Sequence, residues 1–360
     1  MRIEAVETLV RDKVAVVRVR TDDGVTGIGQ SAPYEAAITA HVLHTMVAPM
    51  FLGRDPWDVE VLVDACLRRH YKFSGGFLHR AVAGIDTALW DVLGKVTGRP
   101  VAGLLGGIAR TEVPVYGSSM LRSTTPGEEV DRLASAVDEH GYGGVKLRIG
   151  EAMGRDGDAA PGRTETLVPL ARRHLGDAVD IAADANGGYT AAAAVTVGRL
   201  LEHHGYAHFE EPCPFEDVRS TGQVAAALDI PVAGGEQDHS LARYIELVHT
   251  VDVVQPDIGY IGGLSRARKV ATLAEAAGMP CTLHCANDSL LQVFSVHLAA
   301  AMPACFQRQE WSIETTSWTD GIYGPVLEVR DGSVAVPTAP GWGIELDPGF
   351  LRDADLTTTR

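Results

Sequence analysis

The first thirty residues alternate between apolar and polar positions. The runs VETLV, VAVVRVR and TGIGQ, with the turn residues TDDG (Thr21 to Gly24) among them, predict an antiparallel meander. The spacing then becomes helical. AAITAHVLHTMVAPMFLG, PWDVEVLVDACLRRHY and AVAGIDTALWDVLGKVTG read as helices, the last stopped by Gly98 ahead of Arg99-Pro100. These elements make an α+β unit over residues 1–112.

A different rhythm starts at residue 113. Short β-rich runs recur, each followed by a helical stretch: VPVYG (113–117), GVKLRI (144–149), VDIAAD (179–184), YAHFE (206–210), IPVAGGE (230–236), VDVVQPD (251–257), MPCTLH (279–284) and FQRQEW (306–311). Strands alternating with helices in this way predict a (β/α)₈ barrel over residues 113–340. The competing arrangement, a doubly wound open sheet, calls for a Gly-rich phosphate loop after its first strand, and the chain has none. Residues 341–360, with Pro340 and Gly341 at their start, are expected to run back over the first unit.

Barrel enzymes carry their chemistry at the C-terminal ends of the strands. Asp184, Glu210, Glu236, Asp257, His284 and Glu310 fall there, separated by 26, 26, 21, 27 and 26 residues, about one βα unit each. A single carboxylate at a strand end is as readily the N-cap of the next helix. Asp184, Glu210 and Glu236 in succession would converge at the barrel mouth and repel one another unless a cation sits between them. Oxygen-only ligation suits Mg²⁺, or Mn²⁺, better than Zn²⁺. Asn186 faces the same way as Asp184 and is a candidate for a metal water or the substrate. Asp257 and His284 stand on adjacent strands, where a carboxylate held on one imidazole nitrogen raises the basicity of the other. His284 is therefore a candidate general base or acid. Lys146 and Arg148 point the same way from a buried strand and must meet anions there.

Charge and composition narrow the partners. Lys plus Arg number 31 against 47 Asp plus Glu, a net charge of −16, which disfavours nucleic acid and anionic membrane surfaces. A small anionic substrate remains compatible, because a local cluster such as Lys146 and Arg148 can oppose the global field. Cys66, Cys213, Cys281, Cys285 and Cys305 have no disulfide or zinc spacing and read as buried thiols in a reducing compartment. No run approaches the length of a membrane span and no cleavable leader is evident, so a cytoplasmic location is expected.

Several motifs together resemble the mandelate racemase subgroup of the enolase superfamily: VKLRIG, ADAN (Ala183 to Asn186), FEEP (Phe209 to Pro212), GGE (Gly234 to Glu236), DIGYIGG (Asp257 to Gly263) and the pair Glu310-Trp311. The resemblance spans nearly the whole chain. It implies an α+β capping domain (1–112, completed by about 341–360) on a modified (β/α)₇β barrel (113–340). It also implies Mg²⁺ held by Asp184, Glu210 and Glu236, with Glu210 rather than Glu211 as the FEEP ligand. The shared first step would be removal of the proton α to a carboxylate, giving an enediolate held on the metal. Asp257 and His284 match the family's dyad, and Glu310 matches a residue that hydrogen-bonds the substrate carboxylate. Lys146 matches the first lysine of a KxK motif. Arg148 departs from it, standing where the racemase has its second basic lysine. Arginine keeps its proton, so a two-base racemisation loses one base. The resemblance then favours dehydration of a sugar acid to a 2-keto-3-deoxy acid. The alternatives are racemisation, epimerisation or cycloisomerisation on the same scaffold, and a barrel that binds without catalysing.

Candidates for substrate recognition come from the cap loops, Tyr34 and His41 in one and Tyr71, Lys72 and Phe73 beside Gly75-Gly76 in the other, with Asn287 and Gln307 near later strand ends. The expected partners are a small carboxylate and further copies of the chain, dimer to octamer, as the family tends to assemble.

Overall fold

The computed structural model describes residues 1–360. The N-terminal meander forms as the alternation predicts. β1 (Ile3–Arg11), β2 (Val14–Thr21) and β3 (Thr26–Gln30) pair antiparallel in that order. The helices α1 (Ala36–Val42), α2 (Ala48–Phe51), α3 (Val59–Arg69) and α4 (Gly76–Thr97) follow, with a π-helical stretch Leu43–Val47 joining the first two. α4 packs on β3 at very short range because Gly27 and Gly29 carry no Cβ. A side chain at either would strike the Ala88 or Gly84 backbone carbonyl of α4. α4 ends at Gly98, whose φ of 66° is left-handed, with its N–H turned back to Gly94 and Lys95 carbonyls.

The second unit is a parallel barrel. Its strands are β4 (Glu112–Ser118), β5 (Gly144–Arg148), β6 (Asp180–Asp184), β7 (His208–Glu210), β8 (Val232–Gly234), β9 (Val253–Val254) and β10 (Gln309–Ser312). β4 to β9 are hydrogen-bonded in sequence order, and β10 pairs with β4 on the other side. The run MPCTLH contributes only the bridges Val254–Cys281 and Asp257–His284. The later strands are shorter than their sequence runs, because Pro231, Pro256 and Pro280 have no N–H to give the ladder. Seven helices connect the eight strand positions: Pro126–His140, Arg163–Leu175, Ala191–His203, Val218–Ala227, Leu241–Leu247, Leu264–Ala277 and Leu290–Ala301. No barrel helix follows β10. The barrel is thus (β/α)₇β, as the resemblance implied, rather than the full eightfold alternation of the pattern.

After β10 come β11 (Tyr323–Gly324) and the hairpin β12 (Val329–Arg330) to β13 (Ser333–Ala335), which adds antiparallel to β4. β14 (Glu345–Leu346) pairs with β11, and β15 (Asp355–Thr359) adds to the free edge of β1. On the way back to the cap, Trp342 is fully buried, and its indole N–H donates to the Ile28 and Thr87 carbonyls at 2.9 and 3.1 Å. His297 fixes the same seam, accepting from the Ala102 N–H at 3.1 Å and donating to the Trp342 carbonyl at 3.1 Å. One hydrophobic core runs through both units, and all five cysteines are buried within it unbridged. No single helix is long and apolar enough to cross a membrane.

Candidate active site

Strand register brings the charges together. Arg148 on β5 lies beside Asp184 on β6, and Asp184 lies beside Glu210 on β7. Glu236 stands just past β8, and the Asp257–His284 bridge continues the circle to Glu310 on β10. Single ligand atoms of Asp184, Glu210 and Glu236 all fall within 4.8 Å of one another. All three residues are buried. Glu236 Oε2 is sealed from solvent and accepts no hydrogen bond, its nearest cationic group being His284 Nε2 at 3.3 Å. Three carboxylates gathered this closely away from water are costly to bury without a cation among them. The residues therefore fit a divalent cation with an all-oxygen preference, as Mg²⁺ or Mn²⁺ has.

Lys146 lies at the floor, fully buried, ion-paired with Glu210, with Glu310 at 2.7 Å and with Asp184 at 3.7 Å. Burial acts to lower its pKa, but Glu210 and Glu310 outweigh this and raise it, so Lys146 is a fixed cation. Burial would raise the Glu210 carboxyl, yet Lys146 and His208 hold it well below the usual range. Glu310 is likewise raised by burial and pulled back by Lys146 and His284, to about 2. Its two oxygens accept from Ser118 Oγ at 2.7 Å and the Cys285 N–H at 2.8 Å, which fixes its direction. Arg148 pairs with Asp184 and donates to Asn186 Oδ1 at 3.0 Å.

His284 Nδ1 donates to Asp257 Oδ2 at 2.7 Å, which leaves Nε2 facing the metal carboxylates, 3.3 Å from Glu236 and 3.8 Å from Glu310. The other Asp257 oxygen accepts from the Tyr260 N–H at 2.9 Å, so the dyad is anchored by the turn Ile258–Ile261. Burial disfavours the imidazolium, but Glu236, Glu310 and Asp257 overcome it and lift His284 to about 10. A cation among those carboxylates would cancel much of that pull. Glu211 is buried beside Glu236 and Glu210. Burial first, then those two charges, push its carboxyl well above the ordinary range. Asn186 and Glu211 both adopt positive φ, 41° and 40°, next to ligand positions, so the backbone is strained where the ligands are aimed.

Above these groups lies a cavity of about 440 Å³, lined among others by Tyr34, Met120, Arg122, Arg148, Asn186, Glu236, Tyr260, His284 and Asn287. Tyr34, Asn186 and Asn287 thus meet at the site as the sequence suggested. Four cap candidates do not. His41 lies exposed on α1, and Tyr71, Lys72 and Phe73 form an exposed one-turn helix that does not line this cavity. Gln307 is also displaced. It precedes β10 and lines a larger cavity, about 670 Å³, at the opposite mouth with Asp180 and Arg308. Its distance from Glu310 in sequence is short, but a barrel strand carries its two ends to opposite faces. Sequence reasoning missed Arg122 and Tyr260. Arg122 lies beyond an uncharged strand end, and Tyr260 sits in DIGYIGG without a charge to mark it.

A barrel with a buried carboxylate cluster facing a histidine–aspartate dyad has the makings of a metal-dependent enzyme. The chain belongs to the enolase superfamily, in its mandelate racemase/muconate lactonizing enzyme group. Residues 3–106 match the mandelate racemase/muconate lactonizing enzyme N-terminal domain, and residues 128–350 match the enolase C-terminal domain-like family. An arabinonate dehydratase of Saccharolobus solfataricus is 29% identical over 95% of this chain and 90% of its own length. An L-talarate/galactarate dehydratase of Salmonella typhimurium is 31% identical over 96% and 83%. Among solved structures, a candidate racemase from Roseobacter denitrificans is 44% identical with a TM-score of 0.97, covering 100% of both chains. A mandelate racemase/muconate lactonizing protein from Paracoccus denitrificans, complexed with magnesium, is 31% identical with a TM-score of 0.92 over 99% and 98%.

Proposed function

We propose that this protein is a Mg²⁺-dependent dehydratase of a sugar acid, with Mn²⁺ as an alternative metal. The observation that carries the reading is the asymmetry of the site. His284, oriented by Asp257, offers Nε2 as a base, whereas Arg148, the other group that could serve, keeps its proton and is paired with Asp184. The dehydratase names of the two relatives support it.

In this reading Asp184, Glu210 and Glu236 hold the ion, which supplies Lewis-acid stabilisation of the charge that develops on the substrate carboxylate. Lys146, a cation fixed at the floor, adds to that field. A substrate carboxylate beside Glu310 would favour its protonated form, which donates a hydrogen bond and orients the substrate. His284 Nε2 takes the α-proton. The electron pair of the broken C–H bond forms the C=C bond as the β-carbon–oxygen bond breaks. The same proton, or one delivered by another side chain, leaves with the hydroxyl as water, and the enol tautomerises to the 2-keto-3-deoxy acid. Arg148 offers charge and hydrogen bonds rather than a second base.

The likeness to a candidate racemase keeps proton exchange with inversion as the second reading. One experiment separates them. Sugar acids incubated with the protein and Mg²⁺ in D₂O are assayed for 2-keto acid and for deuterium at the α-carbon of recovered substrate. Keto-acid formation is expected. Deuterated, inverted substrate without keto acid replaces dehydration by racemisation.

A further inference from the structure

Two arginines line the cavity, Arg148 and Arg122, and only the first has a counter-ion. Lys146 is paired with Glu210 and Glu310, and Arg148 with Asp184. Arg163 does not line the cavity and donates to the Thr124 and Arg148 carbonyls. Arg80 lies over the Tyr260 ring at 3.9 Å and donates to the Pro33 carbonyl at 3.0 Å. Arg122 is different. It lines the cavity and forms no ion pair. Its Nε donates to the Gly150 carbonyl at 3.2 Å, and Nη2 reaches the Asp184 carbonyl at 3.4 Å. Nη1 has no hydrogen-bond partner in the protein, so the guanidinium is anchored by one edge with donors to spare.

The loop beneath it is clamped on both sides. The Met120 N–H donates to Glu314 Oε1 at 2.9 Å, and Arg132 joins Glu314 at 2.7 Å to Glu129 at 2.9 Å. On the far side, Arg163 Nε holds the Thr124 carbonyl at 2.9 Å. A half-buried arginine fixed to backbone and lacking a counter-ion is preorganised for an anion from outside. In the proposed reaction the reacting carboxylate is served by the metal cluster, Lys146 and Glu310, which leaves Arg122 for a second anionic group. The cavity, about 440 Å³, is large enough for a six-carbon acid.

We infer that Arg122 is a specificity residue that receives the distal carboxylate of the substrate, so that the preferred substrates are sugar diacids (aldarates) rather than monoacids (aldonates). The inference rests on the dehydratase reading for its chemistry but not for its binding test. The full chain with Mg²⁺ is assayed against four- to six-carbon aldarates and their matching aldonates. Keto-acid formation from an aldarate is expected to exceed that from its aldonate about tenfold or more in kcat/KM. Arg122→Gln should remove that preference mainly through KM, and Arg122→Lys should restore part of it. A wild-type preference for aldonates, or an equal loss for both classes, overturns the inference.

The second arm is calorimetric. His284→Asn protein with Mg²⁺ is titrated with the same panel, with and without Arg122→Gln. Aldarate binding that weakens about tenfold on loss of the guanidinium supports the inference even if no keto acid ever forms, an outcome that sinks the dehydratase reading alone. No aldarate binding, or binding indifferent to Arg122, overturns it.

Discussion

The two mouths of the barrel are built from the same strands and differ in nearly everything else. β6 begins with Asp180, 63% exposed and paired at 2.7 Å with the 41% exposed Arg308. Four residues later it ends with Asp184, whose side chain is 0% exposed and shares its surroundings with Lys146 and Arg148. The N-terminal mouth holds the larger cavity, about 670 Å³ against about 440 Å³. The smaller one holds the metal-type cluster and the dyad. Volume therefore does not mark the chemistry here. Convergence of buried charge does, because only groups removed from water interact strongly enough to bind an ion or hold a proton against its usual pKa.

That contrast can be broken by substitution. The largest expected effect is on turnover. His284→Asn should lower keto-acid formation by about 10²–10⁴-fold, and Glu236→Gln or EDTA should abolish it together with Mg²⁺ binding measured by calorimetry. Unchanged turnover in these variants would move the active site elsewhere. Next is stability. Lys146→Met strands Glu210 and Glu310 in the interior and should cost about 3–5 kcal/mol in metal-free denaturant unfolding. A loss under about 1 kcal/mol would mean that water reaches the floor of the site.

A smaller effect belongs to neither mouth and serves as a control. His297 at the cap–barrel seam is held neutral, its pKa lowered by burial to about 4 against partial support from the Trp342 carbonyl. Its folded pKa lies below its unfolded value, so between about 6.5 and 4 the unfolded chain binds the extra proton. Stability should therefore be intact above pH 6.5 and fall by about 2 kcal/mol by pH 5. His297→Gln should flatten that slope in parallel unfolding titrations at fixed ionic strength, and an unaltered slope would assign the loss to other groups. The smallest effect is at the N-terminal mouth. Arg308→Ala breaks an exposed pair and should change stability by no more than about 1 kcal/mol, with kcat/KM unaltered. A large loss of activity there would give the bigger cavity a part in catalysis.

Much of this was legible in the chain. The period-two opening, the repeating βα units and their charged strand ends located the barrel and brought Asp184, Glu210, Glu236, Asp257, His284 and Glu310 to one face, because side-chain direction in a strand follows from position alone. The cap candidates His41, Tyr71, Lys72 and Phe73 failed to reach the cavity because loop paths carry no such period. Gln307 was misplaced because two residues of strand separate the floor of the barrel from Glu310 at the other mouth.

What the sequence determined by itself was periodicity, and with it the barrel, the cap and the ring of strand-end charges. Tertiary structure alone decided which charges have partners. It paired Arg148 with Asp184, set Glu236 against His284, and hung Arg122 over the cavity without a counter-ion. Pairing depends on distances between segments far apart in the chain and on the exclusion of water around them, and neither quantity is written in local spacing.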